Sequence, residues 1–431
     1  MSSDFLDFLK PDGPGMLVLV LLAAVVLLIL FVWSIKRHRD PLLAVDCDAP
    51  LNELIGSLAG LTHGPIIEGN AVEVFENGRF FEALFEEIAA ARHSVHFETF
   101  LWKDGELGRR LVDALVERRR AGVEVRVLVD ARGGSKMGRE SKRRLQEAGC
   151  KFDMHHPVHI RNIGVFNERD HRKLAVIDGR VAMLGGHCIV DSWLGDGDAK
   201  EHFRDVGVRL RGPAVQAVQY AFSENWIEET GELFVGETVF PVLQREGEVA
   251  VHLACVKPEG SPPAVKILHH LVICVARQRL WIQNPYFLPD LEAIEALGRA
   301  VARGVDVRVM VPSAAASDMP VVQHAAHRNF GKMLAAGVRI FEFQTTLLHQ
   351  KMMTVDGCWC AIGSSNFDDR SLETNDEITL GLHDAALARR FEQIFERDMQ
   401  HCVELRLETW QQRGLWHRLK DNTFYLFNEL L

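Results

Sequence analysis

Apolar and polar positions divide the chain into one unbroken apolar run and a long stretch that switches between two periods. Residues 16–33, MLVLVLLAAVVLLILFVW, carry no charged or strongly polar side chain. With Ser34 and Ile35 the run reaches the ~20 residues that a helix needs to cross the hydrocarbon of a bilayer. Beyond it, helical spacing alternates with strand spacing. FFEALFEEIAAARHSVHFETFLW (80–102) predicts an amphipathic helix and then a strand, and AVKILHHLVICVARQRLWIQNPYF (264–287) predicts the same order. LVDALVERRRAGVEVRVLVD (111–130) matches AIEALGRAVARGVDVRVMV (293–311) as helix, glycine turn and β-branched strand. RRLQEAGCKF (143–152) and GKMLAAGVRIF (331–341) repeat the unit again. Each half therefore reads strand, helix, strand, helix, strand, helix, strand. That order predicts an α/β fold of two lobes after an N-terminal transmembrane helix. Each lobe is expected to be a mainly parallel β-sheet flanked by helices, the two related by a pseudo-twofold axis. The expected domains are 1–45 with the span at about 16–35, a first lobe at 66–228, a connection and the start of the second lobe at 229–263, and the second lobe with its tail at 264–431.

The flanks of the apolar run set its orientation. Asp4, Asp7 and Asp12 stand against Lys10 before it, KRHR (36–39) follows it, and no small-x-small cleavage site appears. The expectation is an uncleaved single-span anchor with the body on the cytoplasmic side. A net charge of −10 argues against a general nucleic-acid binder. The eight cysteines (47, 150, 188, 255, 274, 358, 360 and 402) show no disulfide-framework spacing, which suits a reducing compartment.

The candidate chemistry is itself duplicated. HRKLAVIDGRVAMLGG (171–186) and HQKMMTVDGCWCAIGSSN (349–366) share His-x-Lys-x4-Asp, with a glycine seven residues after the aspartate. His171 and Lys173, or His349 and Lys351, lie two apart and so face the same side of a strand, while Arg172 and Gln350 point away. Two imidazoles and two ammonium groups around one cavity suit a phosphate: the lysines hold its oxygens, one histidine attacks phosphorus and the other protonates the leaving alkoxide. Asp178 and Asp356 belong to the motif but fall on the opposite face, so they are expected mainly to close the turns before Gly179 and Gly357. The small polar runs after the strands (Gly185 and Gly186; Ser364, Ser365 and Asn366) are expected to bind the substrate phosphate.

The twin motifs with GSSN resemble the phospholipase D superfamily. ETFLW (98–102), FRDVGVRLRGPAV (203–215), NPYFLPD (284–290) and GSSNFDDRSLETNDE (363–377) look like bacterial cardiolipin synthases. The resemblance spans roughly 66–431. It implies a phosphatidyltransferase working through a phosphohistidine, with His171 as nucleophile and His349 as acid and base. It also implies a carboxylate some thirty residues past each histidine that orients an imidazole, positions held here by Asp205 and Glu377. The implied substrates are phospholipids, phosphatidylglycerol first and phosphatidylethanolamine as an alternative donor. No cofactor or metal is implied, and the implied location is a bacterial inner membrane. The alternatives are a hydrolase of the same superfamily, either a phospholipase giving phosphatidic acid or a nuclease, and a catalytically silent scaffold. The complete motifs argue against the scaffold, and the anchor and acidic charge argue against the nuclease. One departure is Cys188, which stands where the second copy has Asn366, with His187 beside it as a packing residue. CWC (358–360) is expected to pack in a core and HHPVH (155–159) to form a substrate-facing loop or surface. RRR (118–120) and KRR (142–144) are expected to be solvated helix faces. The tail WHRLKDNTFYLFNELL (416–431) is expected either to dock on the second lobe or to lie in the membrane interface.

Overall fold

A computed structural model of the chain describes residues 14–35, 49–157, 168–257 and 263–425. The N-terminal unit contains helix α1 (Pro14–Ile35), formed by the apolar run. Its described side chains are those of residues 15–28, and among the described residues no helix is long and apolar enough to cross a membrane. The KRHR flank lies outside the described residues, as do 258–262 of the connection, 426–431 of the tail and most of the loop before His171.

The body is built on one sheet of fifteen strands. Its first half supplies β1 (Ile66–Glu76), β2 (Ser94–Thr99), β3 (Glu124–Asp130), β4 (Lys151–His155), β5 (Lys173–Ile177), β6 (Val181–Gly185) and β7 (Val206–Arg211). The second half supplies β8 (Val249–Val256), β9 (Arg279–Gln283), β10 (Asp306–Pro312), β11 (Arg339–Phe343), β12 (Met352–Val355), β13 (Trp359–Gly363), β14 (Glu377–His383) and β15 (Cys402–Leu405). From the central pair β1–β8, one side runs β7-β6-β5-β2-β3-β4 and the other β14-β13-β12-β9-β10-β11. The two orders match strand for strand, and β15 adds an extra edge. The sequence repeat is thus a repeat of topology.

Two expectations need correcting. The sheet is mixed, not mainly parallel: β2, β3 and β4 are parallel, as are β9, β10 and β11, but β5, β6 and β7 and their counterparts are antiparallel. The cause is the turn at Asp178-Gly179 and at Asp356-Gly357, which joins β5 to β6 and β12 to β13. A connection that short reverses the chain and can only link antiparallel neighbours. The halves also share one sheet where separate lobe sheets were expected. The long strand β1 pairs with β8 at its start and with β7 over Ala71–Glu76, so it belongs to both halves at once.

The core reflects this continuity. Leu174 and Val176 of β5, Leu380 and Leu382 of β14, Phe222 and Phe391 all fall in one buried cluster. Phe222 comes from helix α2 (Val215–Thr230) and Phe391 from helix α3 (Ala385–Met399). A charged seam crosses beside them. Arg204 donates to Asp398 (2.9 Å), Glu76 (2.6 Å) and Asn77 (3.0 Å), and Glu76 also accepts from Arg390 and Arg397. Buried guanidinium and carboxylate groups satisfied this fully hold the halves in one register.

Candidate active site

Because β5 runs antiparallel to β2, with Lys173 opposite Thr99, the start of β5 lies beside the end of β2. His171 therefore sits where the parallel strands finish, just outside β5. Two backbone bridges then bring the halves together. His171 N donates to Asp376 O (3.0 Å), and His349 N donates to Arg204 O (2.8 Å). The residues after these acceptors are Glu377 and Asp205, which places each carboxylate against the histidine of the other half. His171 Nδ1 is 2.8 Å from Glu377 Oε1, and His349 Nδ1 is 2.8 Å from Asp205 Oδ2. The Asp205 partnership crosses between repeats, a pairing that counting along the sequence does not reveal.

The second contacts of the carboxylates fix them in place. Asp205 Oδ2 also accepts from Trp193 Nε1 (2.8 Å) and its Oδ1 from Val206 N (2.8 Å). Ser364 Oγ donates to Glu377 Oε2. Aromatic edges brace both imidazoles, Phe100 on His171 and Trp193 on His349, each with centroids 5.0 Å apart. Lys173 Nζ reaches back to His171 O (2.5 Å), and Lys351 Nζ lies 3.0 Å from His349 Nε2.

Burial and the ammonium charges set the protonation. His349 is pushed down to about 4 by burial and then by Lys351. His171 is held well below the usual histidine range by burial, Lys173 and Lys351. Lys351 itself falls to about 8, mainly through burial. Burial lifts Glu377 to about 7. Burial opposes the ionisation of Asp205 too, yet His187, His349 and the His349 hydrogen bond hold it below the usual carboxylate range. The two pairs are unequal: Asp205 stays ionised, whereas Glu377 takes up a proton near neutrality.

A cavity of about 710 Å³ opens over His171 and is bordered by Tyr286, Asn366 and Arg370 among others. His349, Lys173 and Lys351 are buried and do not border it. Asn366 borders the cavity, and its Oδ1 has no partner among the described residues. The rest of the expected phosphate-binding run is otherwise occupied. Ser364 holds Glu377, and Ser365 Oγ pairs with Thr379 Oγ1 (3.1 Å). A Cβ at Gly186 would meet Asp205 Oδ2 at 2.5 Å, and one at Gly185 would meet Gly207 Cα at 2.7 Å. These glycines make room for Asp205 and β7 and do not border the cavity.

Asp178 and Asp356 stand apart from the catalytic groups with which the motif associates them. Asp178 accepts from Arg92 N (2.9 Å), His93 N (2.7 Å) and Ser94 N (2.8 Å). Asp356 accepts from Arg277 N (2.9 Å), Gln278 N (2.8 Å) and Arg279 N (3.0 Å). Each pins the motif hairpin to the start of the neighbouring parallel strand. Cys188 is buried, and burial raises its thiol above the ordinary value. His187 stacks on Phe80 with centroids 4.3 Å apart. His155 is buried at the end of β4, where a substrate-facing loop or surface was expected. It lies 3.4 Å from Asp376 and 3.3 Å from Glu229, and His156 lies 2.8 Å from Asp376. Burial opposes its charge, but these carboxylates outweigh that and raise His155 to about 10. His159 lies outside the described residues. The tail begins as helix α4 (Leu415–Tyr425), whose Asp421 pairs with His324 (2.9 Å) and Arg413 (2.8 Å). It docks on the body and leaves Leu415 and Trp416 exposed. Sequence reasoning gave no role to Trp193, Phe100, Arg132, Arg169 or Arg370. Phe100 lies inside ETFLW, Arg370 inside GSSNFDDRSLETNDE and Arg169 two residues before His171, but Trp193 and Arg132 stood in no such motif.

Comparison with known proteins agrees with this geometry. A family model described as "Cardiolipin synthase, PLD-like domain" matches twice, at residues 84–226 and 272–399. The chain is 33% identical over 354 residues to cardiolipin synthase 2 of Bacillus anthracis, covering 81% of this chain and 68% of that protein. It is 31% identical over 383 residues to the major cardiolipin synthase ClsA of Bacillus subtilis, covering 88% and 79%. The crystal structure of phosphatidylserine synthase from Haemophilus influenzae shares the fold at a TM-score of 0.67 and 13% identity, over 86% of this chain and 98% of that one. The chain belongs to the cardiolipin synthase family of the phospholipase D superfamily and is a phosphatidyltransferase.

Proposed function

We propose that the chain transfers a phosphatidyl group through a phosphohistidine to phosphatidylglycerol, making cardiolipin and releasing glycerol. The observation that carries this reading is the crossed pair of histidines, each bound at Nδ1 by a buried carboxylate of the other half. With Nδ1 held by a carboxylate, His171 Nε2 is left for the substrate, and His349 Nε2 meets it once Lys351 Nζ, 3.0 Å away, turns to the phosphate oxygens. His171 borders the cavity and is the nucleophile: its Nε2 attacks the donor phosphorus while His349 gives a proton to the leaving glycerol oxygen. His349 then takes the proton of the acceptor hydroxyl, the new O–P bond forms, and the N–P bond to His171 breaks. Lys173 and Lys351 balance the charge on the non-bridging oxygens. Before substrate binds, burial and these lysines keep both imidazoles neutral, which suits the attack. The bound phosphate anion offsets the lysines and raises the proton affinity of His349, which takes a proton from solvent before the leaving group departs. Asp205, ionised throughout, stabilises the imidazolium so formed.

Helix α1 is proposed to anchor the body to the inner membrane of a bacterial cell, with the body on the cytoplasmic side. The KRHR flank supports that orientation. The matching strand orders support two phospholipase D-like lobes about a pseudo-twofold axis. Purified protein given phosphatidylglycerol in vesicles should make cardiolipin and glycerol in equal amounts, and phosphatidylethanolamine in the mixture should serve as an alternative donor, releasing ethanolamine. Phosphatidic acid as the sole product across lipid mixtures would replace the synthase reading with a phospholipase.

A further inference from the structure

The cavity over His171 holds a second set of groups that the paired motifs do not use. Arg132 enters from the turn after β3, Arg169 from the segment before His171, and Arg370 from the short helical turn Arg370–Thr374. Lys103 and Lys136 also border the cavity. In a chain of net charge −10, this gathering of cations at one cavity is built by specific contacts. Asp130, wholly buried at the end of β3, accepts from Arg132 N (2.9 Å) and Gly133 N (2.8 Å) through Oδ1. Its Oδ2 accepts from Asp170 N (3.1 Å). One carboxylate thereby ties together the two segments that carry Arg132 and Arg169.

The guanidinium groups feel each other. Burial lowers Arg169 and Arg370 below the ordinary arginine value, and the charge of Arg132 lowers both further. Asp130 and Asp368 offset part of this, but burial has already raised Asp368 to about 6. Arg132 is exposed, and its guanidinium has no hydrogen-bond or ion-pair partner among the described residues. Arg169 also donates to Glu168 O and Arg370 Nε to Asn375 Oδ1 (3.3 Å). Three guanidinium groups that border one cavity and repel one another suit a tetrahedral oxyanion, whose oxygens accept their remaining N–H groups and cancel the repulsion.

We propose that Arg132, Arg169 and Arg370 form a second oxyanion subsite, which holds the phosphodiester of the acceptor lipid while its headgroup hydroxyl reaches the phosphatidyl group on His171. The proposal rests on the phosphatidyl-transfer reading above and deepens it by naming what selects the acceptor. Bond changes are confined to the acceptor hydroxyl: its oxygen bonds to phosphorus, its proton passes to His349, and the bond to His171 Nε2 breaks. The acceptor's own phosphodiester is unchanged, so the subsite also holds the second phosphate of the product. An acceptor fixed there has a high effective concentration against water.

The test uses partition of one intermediate. Full-length protein in mixed micelles receives phosphatidylglycerol together with ethanol. Transfer to lipid then gives cardiolipin, transfer to ethanol gives phosphatidylethanol, and transfer to water gives phosphatidic acid. Losing a charged contact to the anionic acceptor in Arg132→Ala should lower the cardiolipin-to-phosphatidylethanol ratio roughly ten- to a hundredfold. Arg132→Lys should lower it less, because the charge remains without the fork. Thermal melting checks that the variants fold, with Arg132→Gln measured in parallel. An unchanged ratio in folded variants would overturn the subsite, and so would equal loss of all three products, which would move Arg132 to the donor step. Wild-type protein that forms neither cardiolipin nor phosphatidylethanol would instead reject the transfer reading itself.

Discussion

Replacing Asp205 by Asn isolates the crossed carboxylate from the rest of the machinery. Asp205 is wholly buried and does not border the cavity, so the change leaves the substrate-contacting surface intact. Its Oδ2 receives two donors, His349 Nδ1 and Trp193 Nε1, each at 2.8 Å. An amide nitrogen in that place would face donors with a donor, while an amide oxygen there would turn the NH2 toward Val206 N. Either rotamer removes the negative charge that stabilises the His349 imidazolium. A hydrogen bond to a charged group contributes about 1.5–3 kcal/mol, which corresponds to a loss of roughly 10–150-fold in rate. Because His349 is charged only during turnover, the loss should fall on kcat and leave KM within about a factor of three. The assay is initial-rate formation of cardiolipin across a phosphatidylglycerol series, with a melting curve as the control for folding. A folded Asp205→Asn protein with kcat within a factor of three of wild type would refute the crossed-pair mechanism.

Other consequences concern the second carboxylate and the cysteine. Glu377 rises from 4.5 to about 7 in the folded protein, so its ionisation opposes folding, the reverse of an ordinary surface carboxylate. The penalty is absent below the unfolded value, grows as pH rises through about 7 and is complete above it, reaching about 3 kcal/mol. Glu377→Gln should therefore raise the melting temperature at pH 8, raise it little at pH 4.5, and lower activity; a lower melting temperature at pH 8 would contradict the sign. Cys188 is buried, and its thiol is held in the protonated form. Cys188→Ala and Cys188→Ser should keep turnover within severalfold of wild type, and folded but inactive forms of both would assign the thiol a chemical role.

What was legible in the sequence follows from where the physical constraint is local. Helical period, glycine turns and β-branched runs mark β2, β3 and β4 and their counterparts, and the repeat marks the topology. The turn at Asp178-Gly179 was legible, but the antiparallel pairing of β5 with β6 escaped because both strands are buried and read as one apolar run. The continuity of the sheet escaped because β1 divides its length between β7 and β8, a choice made by tertiary packing. Asp205 and Glu377 were visible as carboxylates at fixed offsets, but their crossed partners depend on two backbone bridges between the halves. The serines of GSSN looked like phosphate ligands because small hydroxyl side chains are common there. Here burial turns Ser364 to Glu377 and Ser365 to Thr379, leaving Asn366 to the cavity. Arg132 and Arg370 lie far apart in sequence with no shared motif, so only the fold brings them to one cavity.

The central claim is that the phosphatidyl group resides on His171 between two transfers. It is tested most directly by mapping the covalent adduct in a His349→Ala variant. An activated donor such as phosphatidyl p-nitrophenol needs no proton for its leaving group, so the first transfer should proceed, while removal of the base should slow the second by about 10²–10⁴-fold. Mass spectrometry of rapidly quenched protein at neutral to alkaline pH should then find a phosphatidyl adduct on the peptide containing His171, absent from a His171→Ala, His349→Ala double variant. An adduct on any other residue, or steady product formation by the double variant, would contradict the account.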